Sequence, residues 1–252
     1  MGRQNALELA SRGASVIICY TSSAAAAEAV IKDIESIGSR AIAIKADVSK
    51  PAEIATLFEH AIKHFGKLDI VVSNAGVETF GHVSEITPEE FDRVFGVNTR
   101  GQLLVAQQAY KYLEEGGRLV MLSSISAQAK GVPNHAIYSG SKAAVEAFAR
   151  CLAVGMSPSC HFFFLVFAPV GWAVQVVTDK GFISDIDFGD KKITVNAIAP
   201  GGIKTDMYDQ VVRKYIPGEQ NMSDEEIEKV SWLCSSPSLP FSGPSSSQCA
   251  QC

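Results

Sequence analysis

In the stretch IYSGSKAAVEAF, residues 137–148, Tyr138 stands four places before Lys142. On a helix that spacing puts a phenol and an ammonium on one face. A free tyrosine titrates at about 10, so at neutral pH it is a poor acid or base until a neighbouring cation stabilises its anion. Lys142 can be that cation. Ser124 lies upstream at the end of an apolar run, where a hydroxyl can hold a substrate oxygen while the tyrosine delivers the proton. The three together are a proton-transfer device. With six tyrosines in the chain, the Tyr-Lys spacing also arises by chance. The pair gains meaning only if a scaffold brings Ser124 to it.

That scaffold is legible as alternation. Apolar runs rich in β-branched residues recur at 15–20 (SVIICY), 40–46 (RAIAIKA), 68–76 (LDIVVSNAG), 117–124 (GRLVMLSS) and 193–202 (ITVNAIAPGG), and helical periodicity fills the gaps, as in AEIATLFEHAIKHF and FDRVFGVNTRGQLLVAQQAYKYL. Strands alternating with helices predict right-handed crossovers and an α/β, Rossmann-like, doubly wound parallel sheet covered on both faces. Ligands in such sheets sit beyond the carboxyl ends of the strands. There the chain keeps Asp47, Ser73, Asn74, Ser123, Ser124 and the segment from Pro200 to Thr205.

Composition narrows the function. At 252 residues with 47% hydrophobic and 19% charged residues, the chain has material for one large globular domain. A net charge of −5 and the lack of a basic run argue against nucleic acid and for a small-molecule partner. Six scattered cysteines and five scattered histidines give no metal-ligand spacing; the terminal pair Cys249 and Cys252 stands alone in a Ser/Pro-rich tail. The amino-terminal residues MGRQNALELASRGA lack the apolar core of a signal peptide, so a cytoplasmic location is expected.

SNAG at 73–76, NTRG at 98–101, Ser124, YSGSK at 138–142 and APGGIKTDMY at 199–208 follow one another in the order seen in the short-chain dehydrogenase/reductases, which the chain resembles over about residues 2–154 and 187–230. Within that family VSEITPEEFDRVFGVNTRGQ, ISAQAKGVPNHAIYSGSKAAVEAFARCLAV and YIPGEQNMSDEE are similar to fungal polyhydroxynaphthalene reductases and versicolorin-type ketoreductases. The resemblance implies Tyr138 as general acid and Ser124 as the hydroxyl that orients a carbonyl. It implies Lys142 as the group that lowers the tyrosine pKa and binds the nicotinamide ribose, and Asn98 as holder of a water in the proton relay. It places Asp47 near adenine, Asn74 near ribose, and Ile203 and Thr205 near the carboxamide and phosphates. Tyr208 and Tyr215 become aromatic walls for a flat phenolic substrate, which stacking suits. Taken singly, Ser124 and Asn98 also read as ordinary polar residues, Asp47 and Asn74 as turn caps, and Tyr208 and Tyr215 as core.

Cofactor choice follows from what stands after VIIC. An acidic residue there would hold the ribose 2′-hydroxyl of NAD, whereas this chain has Tyr20, Thr21, Ser22 and Ser23, with Arg3 at the start of the first helix. A neutral, hydroxyl-rich and basic pocket suits a 2′-phosphate, hence NADPH. The implied activity is hydride transfer to a ring ketone of an aromatic polyketide, by a chain that assembles as a tetramer. The alternatives are an inactive remnant of such a reductase, or a reductase of non-aromatic carbonyls.

Three stretches depart from the family pattern. Of its first strand and glycine-rich turn only Gly2, the last glycine, is present, so the sheet is expected to lack its first strand. After NMSDEEIEKV the Ser/Pro-rich residues 231–252 replace a last strand, leaving residues 1–230 as the single domain. Residues 155–186, crowded with Phe, Val and Trp, read as an apolar insertion of translated intron sequence. The rival reading is a membrane anchor, but FFFLVFAPVGWAVQVV is shorter than the roughly 20 residues that span a bilayer and is broken by Pro169 and Gly171.

Overall fold

The computed structural model describes residues 1–128, 131–153, 162–167, 172–177, 191–201, 212–215, 223 and 226–227. In chain order these form helix α1 (Gly2–Ser11), strand β1 (Val16–Tyr20), α2 (Ala24–Ser36), β2 (Ala41–Lys45), α3 (Pro51–Phe65), β3 (Leu68–Ser73), α4 (Pro88–Phe95), α5 (Gln102–Tyr112), β4 (Leu113–Leu122), α6 (Ala136–Ala153), β5 (Phe162–Phe167), β6 (Trp172–Val177) and β7 (Thr194–Pro200). Every strand expected from an apolar run is present. Local chemistry explains the helix ends: Ser23 caps α2 by accepting from the Ala26 amide, Thr87 caps α4 by accepting from Glu90, and α3 and α4 begin at proline, whose missing N–H costs nothing in a first turn.

The strands do not make one sheet. β1 and β2 pair in parallel as a two-stranded sheet, while a five-stranded sheet runs in the order β3-β4-β7-β5-β6. The α/β, Rossmann-like architecture of parallel strands and helices is the one expected; no strand among the described residues joins β1 to β3, and a cavity of about 690 Å³, bordered by Ile17, Ile18, Val71 and Val72, lies against both. The expectation of a parallel sheet needs amending at its far side. The apolar stretch read as an insertion contributes β5, parallel to β7 over Leu165–Phe167, and β6, antiparallel to β5.

The core that carries the site lies on the larger sheet. Leu119 and Met121 of β4 and Ala197 and Ala199 of β7 are fully buried, packed among Ile54 of α3, Ala109 of α5 and Val145 and Ala149 of α6. On α6 the buried positions Ile137, Ser141, Val145, Ala149 and Leu152 recur at three- and four-residue intervals and seat one face of the helix against the sheet. A smaller cluster of Ala6, Ala10, Val16, Val30 and Ile34 holds α1 and α2 on β1. Among the described residues no helix is long and apolar enough to cross a membrane.

Candidate active site

Three elements end at one place. β4 delivers Ser124 just beyond its carboxyl end, where the residue opens a short 3-10 turn over Ile125–Ala127. Ser126 donates to Ser124 Oγ from its amide at 3.3 Å and its hydroxyl at 3.0 Å, which fixes the side chain. The first turn of α6 supplies Tyr138, whose phenol shares a side-chain hydrogen bond with Ser124. Lys142, one turn further, is 3% exposed; its ammonium donates to the Leu122 carbonyl at 2.8 Å and lies 5.8 Å from the centre of the Tyr138 ring. The predicted triad is assembled.

Burial dominates its electrostatics. Burial pushes the Tyr138 phenol up to about 12, the Glu78 carboxylate adds to the rise, and only the Ser124 hydrogen bond pulls the other way. Burial likewise brings Lys142 down to about 8, with Glu78 opposing. The physical reason is dielectric, since both groups lose water and each is driven toward its neutral form.

Asn98 is fully buried in a π-helical turn, Gly96–Gly101, between α4 and α5. Its amide nitrogen donates to the Val77 carbonyl at 2.8 Å and to Ser141 Oγ at 3.0 Å, while its oxygen accepts from the Val77 amide at 2.8 Å. Asn98 thus ties the loop after β3 to α6. Gly76 completes the cradle: a Cβ there would meet Lys142 Nζ at 3.2 Å and Asn98 Oδ1 at 3.4 Å.

The residues read as cofactor contacts divide. Asn74 stands at the end of β3 beside Gly2, whose Cβ position is 3.2 Å from Asn74 Nδ2, and Asn74 Oδ1 is buried with no hydrogen-bond partner among the described residues. An orphaned acceptor beside a bare glycine fits a ribose rich in hydroxyl donors. Tyr20 ends β1 and Ser22 is exposed just beyond it. Arg3 is held by Asp33 at 2.7 Å across α1 and α2, an exposed pair that a phosphate can displace at little cost. Asp47 spends its carboxylate on the Ser49 amide at 2.9 Å and hydroxyl at 2.7 Å, and those bonds hold it below the usual carboxylate range. Ile203, Thr205 and Tyr208 lie outside the described residues, as does the side chain of Tyr215.

Sequence reasoning passed over several neighbours. Glu146, on α6 and 6% exposed, accepts from Ser123 Oγ at 2.9 Å and Gln128 Nε2 at 3.0 Å. Gln102 braces the end of β4 by donating to the Leu122 carbonyl and accepting from its amide. His135 stacks on Tyr138, with ring centres 4.6 Å apart, and Glu78 pairs with it. The spacing of three from His135 to Tyr138 was a signal in the sequence. Glu78, 57 residues from its partner, left none.

Comparison with known proteins gives the same picture from another side. The family profile described as enoyl-(acyl carrier protein) reductase matches residues 1–161. A trihydroxynaphthalene reductase of Pestalotiopsis fici is 52% identical over 229 residues, 91% of this chain and 70% of that protein. Versicolorin reductase stcU of Emericella nidulans is 48% identical over 234 residues, 92% of this chain and 76% of its own. Among solved structures, a short-chain dehydrogenase of Burkholderia cenocepacia in complex with NADP superposes with a TM-score of 0.67 at 30% identity, covering 92% of this chain and 86% of that one. A blue fluorescent protein from a metagenomic library, in complex with NADPH, superposes at 0.66 and 29% identity, covering 82% and 72%.

Proposed function

Because the chain belongs to the short-chain dehydrogenase/reductase family, we propose that it is an NADPH-dependent reductase acting on a ring ketone of an aromatic polyketide, of the hydroxynaphthalene or hydroxyanthraquinone kind. The observation that carries the reading is the meeting of Ser124, Tyr138 and Lys142 at the carboxyl end of β4, with Asn98 behind them. The names of the relatives, trihydroxynaphthalene reductase and versicolorin reductase, support the substrate class.

Bound NADPH supplies the hydride. The chain does the rest: Ser124 Oγ orients the carbonyl oxygen, and Tyr138 gives that oxygen its proton. Lys142 holds the ribose hydroxyls and steadies the phenolate once the proton has left. Asn98 keeps the loop after β3 and α6 in register and holds a water behind the lysine. Gly2, Asn74, Tyr20, Ser22, Asp47 and Arg3 line the remaining length of the cofactor, with Arg3 toward its 2′-phosphate. Ile203 and Thr205 would hold the carboxamide and phosphates, and Tyr208 and Tyr215 would flank the aromatic substrate. The protein works in the cytoplasm as a homotetramer, with residues 1–230 as its one reductase domain and residues 155–186 as an insertion within it.

Nicotinamide fluorescence, followed as NADPH is added to the purified chain, tests cofactor binding. NADPH oxidation with tetrahydroxynaphthalene, an anthraquinone and a β-ketoacyl thioester then tests the substrate. Saturable binding and turnover of an aromatic ketone are expected. No saturable signal overturns the reductase reading, and turnover of the thioester alone overturns the aromatic one.

A further inference from the structure

Glu146 follows Lys142 by one turn of α6 and Tyr138 by two, so the three lie along one side of the helix. It is 6% exposed, yet the proton transfer does not use it. Its Oε1 accepts from Ser123 Oγ at 2.9 Å and from Gln128 Nε2 at 3.0 Å. Those donors bracket the segment that carries Ser124: Ser123 precedes it at the end of β4, and Gln128 follows the 3-10 turn that Ser124 opens. One oxygen therefore grips both ends of residues 123–128.

The bonds inside the segment are local. The Ser126 amide and hydroxyl donate to Ser124 Oγ, the Ala127 amide donates to the Ser124 carbonyl at 3.0 Å, and the Gln128 amide donates to the Ile125 carbonyl at 3.0 Å. They shape the turn without fixing where it sits against α6. The upstream end has further ties: the Ser123 amide donates to the Ile198 carbonyl of β7 at 2.8 Å, and Ser123 Oγ reaches the Lys142 carbonyl at 3.0 Å. A hydroxyl has one proton for those two acceptors on α6. The downstream end is tied to α6 by the bond from Gln128 to Glu146, whose two amide protons are not so divided.

We propose that Glu146 is a positioning residue for Ser124: its Oε1 fixes residues 123–128 against the helix that bears Tyr138 and Lys142, and so sets where the Ser124 hydroxyl meets the substrate oxygen. That oxygen has to reach a hydroxyl beyond β4 and a phenol on α6 at once, and a misplacement of about 1 Å in such a geometry can cost about a hundredfold in rate. The clamp needs an acceptor at this place and not a charge, because a carboxylate, a protonated carboxyl and an amide all present one. The inference rests on the reading in which Ser124 orients the carbonyl.

Hydrogen exchange of peptides spanning 123–128, and NADPH oxidation with tetrahydroxynaphthalene, test it together on the full chain. Glu146→Leu removes the acceptor at similar size. Exchange of the Ser126, Ala127 and Gln128 amides should then speed about tenfold, with the protection of β4 and α6 unchanged. The kcat should fall about tenfold to a hundredfold at constant KM for NADPH, since the cofactor contacts stay in place. Glu146→Gln keeps the oxygen and should restore both readouts. In a Ser124→Ala background Glu146→Leu should cost nothing further, because a residue that acts through Ser124 then has nothing to position. If Glu146→Leu does not fold, Gln128→Leu, at an exposed position, cuts the same clamp from its other end and decides with the same expectations. Unchanged exchange at 123–128, unchanged kcat, Glu146→Gln as impaired as Glu146→Leu, or additive losses in the double variant overturns the proposal. If wild type turns nothing over, the reductase reading fails and exchange alone decides: faster exchange confined to 123–128 and reversed in Glu146→Gln upholds the clamp, and any other pattern overturns it.

Discussion

Lys142 is charged, buried and, among the described residues, bonded to the Leu122 carbonyl, and its pH-dependent contribution to stability runs against the usual direction for a paired lysine. Its folded pKa of about 8 lies below the ordinary lysine value of 10.5, chiefly through burial. The unfolded chain therefore binds the proton more tightly. Keeping the ammonium inside costs about 3 kcal/mol below pH 8. That cost fades as pH rises from about 8 to 10.5, where the folded state has already shed the proton. Lys142→Met is thus expected to be more stable than wild type at pH 7 by about 1 to 2 kcal/mol after loss of the hydrogen bond, with the gap closing toward pH 10.5, and to lose activity. Denaturant unfolding across that range checks it; a gap independent of pH contradicts it. The sequence showed the lysine and its partners because residues one helical turn apart must share a face. It could not show how much water the fold removes from each, nor Glu78, placed by a loop with no periodic signal.

The elements were legible where their period was strong. Strands β1 to β3 and β7 and helix α3 fall where the apolar pattern puts them. One long helix expected from Phe91 onward is instead α4, the π-helical turn and α5. A widened turn is set by close approach, which periodicity does not record: a Cβ on Gly101 would lie 2.7 Å from the Val48 carbonyl oxygen, so only glycine lets the turn press on the loop after β2. Gly101→Ala is expected to cost about 1 to 3 kcal/mol, because backbone cannot retreat as a side-chain tip can, and to disturb Asn98 beside it. Thermal unfolding reads the first effect and NADPH affinity the second; a variant with wild-type values in both contradicts this account of the turn. β4 begins at Leu113, earlier than its apolar run, because Gly116 at φ +79° lets the chain pass through a left-handed residue where the pairing with β3 shifts register.

At the scale of the whole molecule, the sequence carried the αβ alternation and the parallel pairing, but not the antiparallel pairing of β6 with β5, since strand order is a long-range property that no local pattern encodes. The apolar stretch 155–186 belongs here too. β7 is held over five residues by β4 and over three by β5, so removing β5 leaves the stronger pairing in place. Joining Val154 to Asp187 is expected to raise soluble yield while leaving the unfolding temperature within a few degrees; a fall in both shows that the stretch is integral to the sheet. The central claim, that Tyr138 hands a proton to a ketone reduced by NADPH, has a direct measurement: NADPH oxidation by the purified chain with tetrahydroxynaphthalene, wild type against Tyr138→Phe, with NADPH affinity followed in parallel. The ring of phenylalanine keeps the packing and removes only the donor, so substrate-dependent oxidation should fall by about 10² to 10⁴ with affinity nearly unchanged. Retention of most of the wild-type rate in Tyr138→Phe would contradict it.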